Sequence, residues 1–253
     1  MAQYDQRGFP GAMGSTDVTH VAWDCAPFSH RRSYTGKEGF PTLAYQATVD
    51  HSGRILGVTR GFPAAMNDKP IIRYDLNVQR VRECSECKDK TFLLKTTPGT
   101  DDSHMGLYLV WGCLVSPSRT PQTYADIAWS KRLESVRKDV ESLFGVFKGR
   151  FRICKLPLLY RKNEDVDNVF FACCILHNML HAFDGLAELE ALNGRADGRH
   201  NPLVCDPDWD ATNTSGSRLL THAETEEVER SHMLLKRKLV APFTFCAQRN
   251  ELA

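Results

Sequence analysis

The sequence predicts an α/β fold, and three observations carry that expectation. Thr- and Val-rich runs fill much of the first half, one strong hairpin turn joins two of them, and two long stretches of helical apolar periodicity follow in the second half. Size and composition agree. The chain has 253 residues, 42% hydrophobic and 25% charged, which is ordinary globular composition and enough for one to two domains of about 150 residues. With 32 Lys and Arg against 31 Asp and Glu, the formal charge is +1. That balance excludes a protein that grips nucleic acid by bulk positive charge.

Each element has a local reason. Gly14–Trp23 reads GSTDVTHVAW and predicts a strand from near Thr16. Ser29–Gly39, with His30, Arg31, Arg32 and Lys37, reads as a polar loop. Leu43–Val49 and Ile55–Thr59 read as strands. Between them Asp50-His51-Ser52-Gly53 has hairpin chemistry: Asp opens the turn and Gly supplies positive φ. The start is therefore three antiparallel strands. Asn67–Leu76 reads as a short helix, and Thr91–Lys95 and Gly106–Val115 as further strands.

The clearest helix runs from about Trp129 to Phe151, where Leu133, Val136, Val140, Leu143, Phe144 and Phe147 form one stripe. A second covers Val166–Phe183, with Val169, Phe170, Cys173, Leu176 and Leu180 expected to face inward. Asn193–Thr221 is rich in Asn, Gly, Asp, Pro, Ser and Thr and is expected to be a flexible acidic segment. Glu224–Leu239, acidic first and basic last, suits a C-terminal helix. The domains read as 1–190, a linker 191–222, and a helix and tail 223–253. No uninterrupted apolar run of ~18 residues and no secretory h-region occur, so neither membrane nor export is expected. The nine scattered Cys, two of them (Cys173 and Cys174) inside an apolar run, read as reduced core residues.

Charge is unevenly spread. Lys131–Lys162 holds ten Lys and Arg against three acids, a net of +7, and Asp184–Glu229 holds eleven acids against three Arg, a net of −8. The near-zero total hides a basic helical region and an acidic tail region.

Few residues stand out for chemistry. At 100° per residue, Arg137, Glu141 and Lys148 fall together beside the apolar stripe of the long helix, so Glu141 sits at its rim. The bland reading is a solvated acid paired with Arg137. Asp17 lies inside a Thr/Val-rich strand, where Asp has poor propensity. It is either an edge residue facing water or a hard oxygen ligand for Mg²⁺ or Mn²⁺. Asp50 is explained as a turn residue and Asp68 as a helix start. Cys84 and Cys87 form a C-x-x-C pair without a second pair; His104 and Cys113 are the remaining candidates for a zinc site. His177 reads as a hydrogen-bonded core histidine.

Several stretches together resemble PIF/Harbinger-type transposases, the plant transposon protein group. They are SKRLESVRKDVESLFGVFKGRFRICKLPL with NVFFACCILHNML, GFPGAMGSTDVTHVAWD, and LAYQATVDHSGRILGVTRGFPAAMNDKPIIRYD, spanning Arg7 to Asp184. The resemblance implies an RNase H-like mixed sheet flanked by helices, carrying an Asp-Asp-Glu triad for two Mg²⁺ or Mn²⁺ ions and phosphodiester cleavage of DNA. By motif, Asp17 is the first acid and Glu141 the last. The resemblance also implies a nuclear location, DNA as partner and a separate DNA-binding protein as a second one. Lys131, Arg132, Arg137, Lys138, Lys148, Arg150 and Arg152 would meet phosphates. Lys236-Arg237-Lys238 is the only compact basic run.

Two departures matter. The family's second Asp precedes a Gly-Tyr unit shortly before a Trp, whereas this chain reads Asp102-Ser103-His104-Met105-Gly106-Leu107-Tyr108-Leu109-Val110-Trp111. Met105 takes the Asp position, or a short deletion removes it. Asp101 and Asp102 are the nearest substitutes. The chain also begins about fifteen residues before Asp17, without the helical DNA-contacting front usual in the family. Three readings follow: an impaired metal-dependent nuclease, a non-catalytic DNA-binding or partner-recruiting protein, and a transposon relic.

Overall fold

A computed structural model describes residues 4, 7–9, 11–66, 68–83, 92–95, 114–115 and 123–183, together with positions 226, 230, 233 and 239. Its centre is a mixed sheet. Strand β1 (Ala12–Ala22) pairs antiparallel with β2 (Thr42–Val49), from Ser15↔Val49 to Ala22↔Thr42. β2 pairs antiparallel with β3 (Ile55–Val58) and, nearer its start, with the two-residue β4 (Phe62–Pro63). On the other side, β5 (Phe92–Lys95) runs parallel to β1, and β6 (Leu114–Val115) parallel to β5. The order is β3-β2-β1-β5-β6, so the first strand is central.

The hairpin turn is built as its residue types dictate. Asp50 Oδ1 accepts from the Ser52 and Arg54 amides at 3.0 and 2.9 Å and from Ser52 Oγ at 2.6 Å. Gly53 takes a φ of 88°, a conformation that costs only glycine nothing. Gly14 answers a different need: a Cβ there would stand 2.3 Å from the Val49 carbonyl oxygen of the neighbouring strand.

Helices cover both faces of the sheet. Odd residues of β1 and β2 share one face, where Val21, Leu43, Tyr45 and Val49 form the main core with α4 (Tyr124–Arg150) and α5 (Asn163–Phe183). Phe170 stacks on Tyr45 at 4.0 Å between centroids and meets Phe147 edge-on at 5.5 Å. On the opposite face Val18 and Ala44 pack on Ile71 of α2 (Asp68–Ile71). Cys25, Cys154, Cys173 and Cys174 form no disulfide among the described residues, and burial beside Cys173 pushes Cys154 up to about 12.

Several expectations need correction. Ser29–Gly39 contains a short helix, α1 (Arg31–Tyr34), after a 3-10 turn at Phe28–His30. β1 starts four residues before Thr16. Helix α3 (Leu76–Glu83) was not expected; Asp75 starts it, with Oδ1 accepting from the Asn77 amide at 2.9 Å. Helix α4 begins well before Trp129 because Thr123 and Asp126 form a reciprocal capping box.

In α5 the inward expectation fails for Leu176 and Leu180, which are 47% and 37% exposed. His177 is the buried, hydrogen-bonded core histidine the sequence reads, and His181 is buried beside it instead. Their Nε2 atoms lie 3.0 and 2.9 Å from the carbonyl oxygens of Gly53 and Ser52. Those bonds orient the helix so that its histidine side meets the hairpin. By length and composition α5 is apolar enough to cross a membrane, yet in the fold its Val166, Phe170 and Cys174 belong to the sheet's core. The segments 193–221 and 106–113 lie outside the described residues. Of the expected C-terminal helix, positions 226, 230, 233 and 239 are helical, and Leu239 is buried against α4 and the N-terminal residues.

Candidate functional site

Asp17 stands partly buried in the middle of β1, opposite Ala47, on the face that α4 covers. The helix runs along this strand in the same direction. Trp129, Leu133 and Val136 share a cluster with Phe9 and Ala12 at the start of β1. Lys148 Nζ donates to the His20 carbonyl oxygen near its end at 2.7 Å. Going back seven residues on the helix from Lys148 covers about 10 Å, and going back three residues on the strand from His20 covers about 10 Å as well. Glu141 is therefore level with Asp17, on the flank of α4 that also carries Arg137 and Lys148.

Glu141 is not alone. Its carboxylate is ion-paired with the Arg137 guanidinium one turn earlier, and its side chain is 44% exposed. The pair anticipated from the i, i+4 spacing is thus formed.

The basic residues of α4 do not make one face. Arg137 and Lys148 share the flank of Glu141. Lys131 and Lys138 are exposed on the outer crest. Arg132 and Arg150 take the opposite flank, where Arg132 Nε reaches the Arg7 carbonyl oxygen and Asp139 holds Arg7 at 3.0 Å. Arg152 is exposed in the turn that follows. Burial of the ammonium lowers the Lys148 pKa from its ordinary value.

The other candidate acids fall elsewhere. Asp50 spends Oδ1 on its own turn. Asp68 begins α2, whose Ile71 packs on the face away from Asp17. Asp102, with Asp101, Cys84, Cys87, His104 and Cys113, lies outside the described residues. Mg²⁺ and Mn²⁺ take hard oxygen ligands, and Asp17 and Glu141 are of that chemistry. Among the described residues, however, no group of three His, Cys, Asp or Glu could hold a metal ion. Arg137 is ion-paired with Glu141, and the candidates for a third acid, Asp101 and Asp102, lie outside the described residues.

Two carboxylates that sequence reasoning missed are deeply placed. Asp167 Oδ1 accepts from Tyr45 Oη at 2.7 Å and from the Gly61 amide at 3.0 Å. Asp75 Oδ2 accepts from Gln46 Nε2 at 2.7 Å. Burial raises the pKa of both, and their hydrogen bonds oppose that rise. A signal for Asp167 exists: it is an acid at the rim of an apolar helix stripe, the same argument that marks Glu141. Both residues tie helices to β2 and serve the fold.

The plant transposon protein family model matches residues 2–185. A human protein named "Putative nuclease HARBI1" is 27% identical over 179 residues, covering 70% of this chain and 48% of its own length. The Arabidopsis thaliana "Protein ALP1-like" is 25% identical over 182 residues, covering 68% of this chain and 44% of its own. The rat protein of the same name as the human one is 26% identical over 179 residues, covering 70% and 48%. The chain thus spans about half the length of these curated relatives. No solved structure matches it. With the family match covering both the Asp17 strand and the Glu141 helix, this chain belongs to the plant transposon protein family of Harbinger-type transposase relatives.

Proposed function

We propose that this chain is a transposase-derived DNA-binding domain of RNase H-like fold in which metal-dependent cleavage of phosphodiesters is impaired. One observation carries the reading. Glu141 stands level with Asp17, yet Arg137 holds its carboxylate, and no third acid joins them among the described residues. Mg²⁺ or Mn²⁺ affinity at such a pair is weak. The fold assignment is supported by the mixed sheet: three antiparallel strands with the Asp on the first, then strands parallel to it, with helices on both faces. DNA as partner is supported by the basic residues on and after α4, of which Lys131, Lys138 and Arg152 are exposed. A nuclear location and a separate DNA-binding protein partner belong to the same proposal.

Two assays test it together: salt-dependent binding to a duplex, and nicking of supercoiled plasmid with Mg²⁺ or Mn²⁺. The expectation is binding that survives Asp17→Ala and Glu141→Ala, with nicking at the level of a protein-free control. Loss of all DNA binding by the unaltered chain overturns the proposal. Strong nicking abolished by Glu141→Ala overturns the impairment and establishes an active nuclease. One observation favours that second reading: β5 brings Lys95, seven residues before Asp102 in the sequence, beside Thr16, the neighbour of Asp17. In that case Asp102→Asn removes nicking too.

A further inference from the structure

The parallel register of β1 with β5 ends at Thr16↔Lys95, so among the described residues no strand continues beside β1 on that side. The stretch Val18 to Ala22 forms one wall of a cavity of about 330 Å³. Lys37, Glu38 and Phe40 face it from the segment after α1, and Lys148, Cys154 and Lys155 from the end of α4 and the turn beyond. Three lysines and His20 stand against the single acid Glu38. Lys148 is anchored in the wall by its bond to the His20 carbonyl oxygen, and the His20 ring meets Thr42 Oγ1 at 3.0 Å. Lys37 and Lys155 are exposed. Phe40, also lining the cavity, is 50% exposed.

Two kinds of group in one cavity define a ligand. The ammonium groups recognise an anion, and an exposed aromatic ring recognises a flat π-face. A nucleotide carries both. The cavity lies at the lower end of the small-ligand range of roughly 300–1,000 Å³, room for one nucleotide and not for a duplex. Its lining begins at Val18, the residue after Asp17, about 3 Å along the strand.

We propose that this cavity holds one nucleotide of a DNA single strand, its phosphate on Lys37 and Lys155 and its base on Phe40. The inference rests on the DNA-binding reading above and adds to it a subsite and a preference for unpaired DNA. Sequence-tolerant single-strand binding uses this pairing of basic groups with stacking rings.

The test is fluorescence anisotropy in EDTA with two labelled probes, an oligothymidylate single strand and a blunt duplex, with thermal melting of each variant as a control. Phe40 is half exposed, so Phe40→Ala keeps the fold. It is expected to weaken single-strand binding about tenfold while leaving duplex binding unchanged. The Lys37→Ala/Lys155→Ala double variant is expected to flatten the salt slope for the single strand by about 0.7, the value for one phosphate contact. If the unaltered chain binds DNA but both variants match it on the single strand, or Phe40→Ala weakens both probes equally, the subsite is overturned and the DNA reading stands. If the unaltered chain binds neither probe, both fall.

Discussion

Replacing Tyr45 by Phe removes one oxygen from the centre of the fold. Tyr45 is fully buried, and its hydroxyl donates to Asp167 Oδ1 at 2.7 Å. That carboxylate oxygen then keeps the Gly61 amide at 3.0 Å. A hydrogen bond to a charged group is worth about 1.5–3 kcal/mol, and stranding a buried acceptor costs a similar amount. The ring itself still stacks on Phe170, so no cavity term adds to it. A loss of about 2 kcal/mol is expected, or roughly 4–8 °C in Tm for a chain of this size. The loss depends on pH, with a definite sign. Burial raises the Asp167 pKa in the folded protein, and the Tyr45 bond opposes that rise. Below the ordinary carboxylate range both states are protonated and Asp167 carries no penalty. As pH rises toward the raised folded value the unfolded chain ionises first, and stability falls. Without Tyr45 the folded pKa climbs further, so the gap between Tyr45→Phe and the unaltered chain widens with pH. Urea denaturation at pH 4 to 8 reads this directly. A gap below about 0.5 kcal/mol, or one that shrinks as pH rises, refutes the reasoning.

Two further substitutions probe what holds the site's strands in place. Gly14→Ala sets a Cβ 2.3 Å from the Val49 carbonyl oxygen; backbone cannot yield as a side-chain tip does, so a loss of soluble folded protein, or at least ~2 kcal/mol in denaturation, is expected. Asn178 both accepts from the Ile55 amide at 2.9 Å and donates to the Ile55 carbonyl at 2.8 Å. Asn178→Ala is expected to cost about 2 kcal/mol and to speed hydrogen exchange at the start of β3; unchanged exchange there would show that α5 does not secure the hairpin.

Local chemistry made much of this fold legible. The Thr/Val alternation of β1, the Asp50–Gly53 turn and the stripe from Leu133 to Phe147 are decided within a few residues of themselves, and each appears in the structure, β1 with an earlier start than its sequence expects. So does the Arg137–Glu141 pair, because one helical turn joins its members. Helix boundaries moved where caps outweighed periodicity, as at Thr123 and Asp75.

What the sequence by itself determined is therefore the main strands and the two long helices, the family, and the two acids worth watching. Tertiary structure alone decided which faces meet. His177 was legible as a core histidine, but periodicity cannot say whether Leu176 and Leu180 or His181 turn inward with it, because that choice depends on the Ser52 carbonyl more than a hundred residues away. It likewise cannot bring Glu141 level with Asp17, spread the basic residues of α4 over two flanks and a crest, or gather three lysines around the end of β1. Those arrangements follow from packing one long helix along one strand, and packing joins residues that sequence keeps far apart.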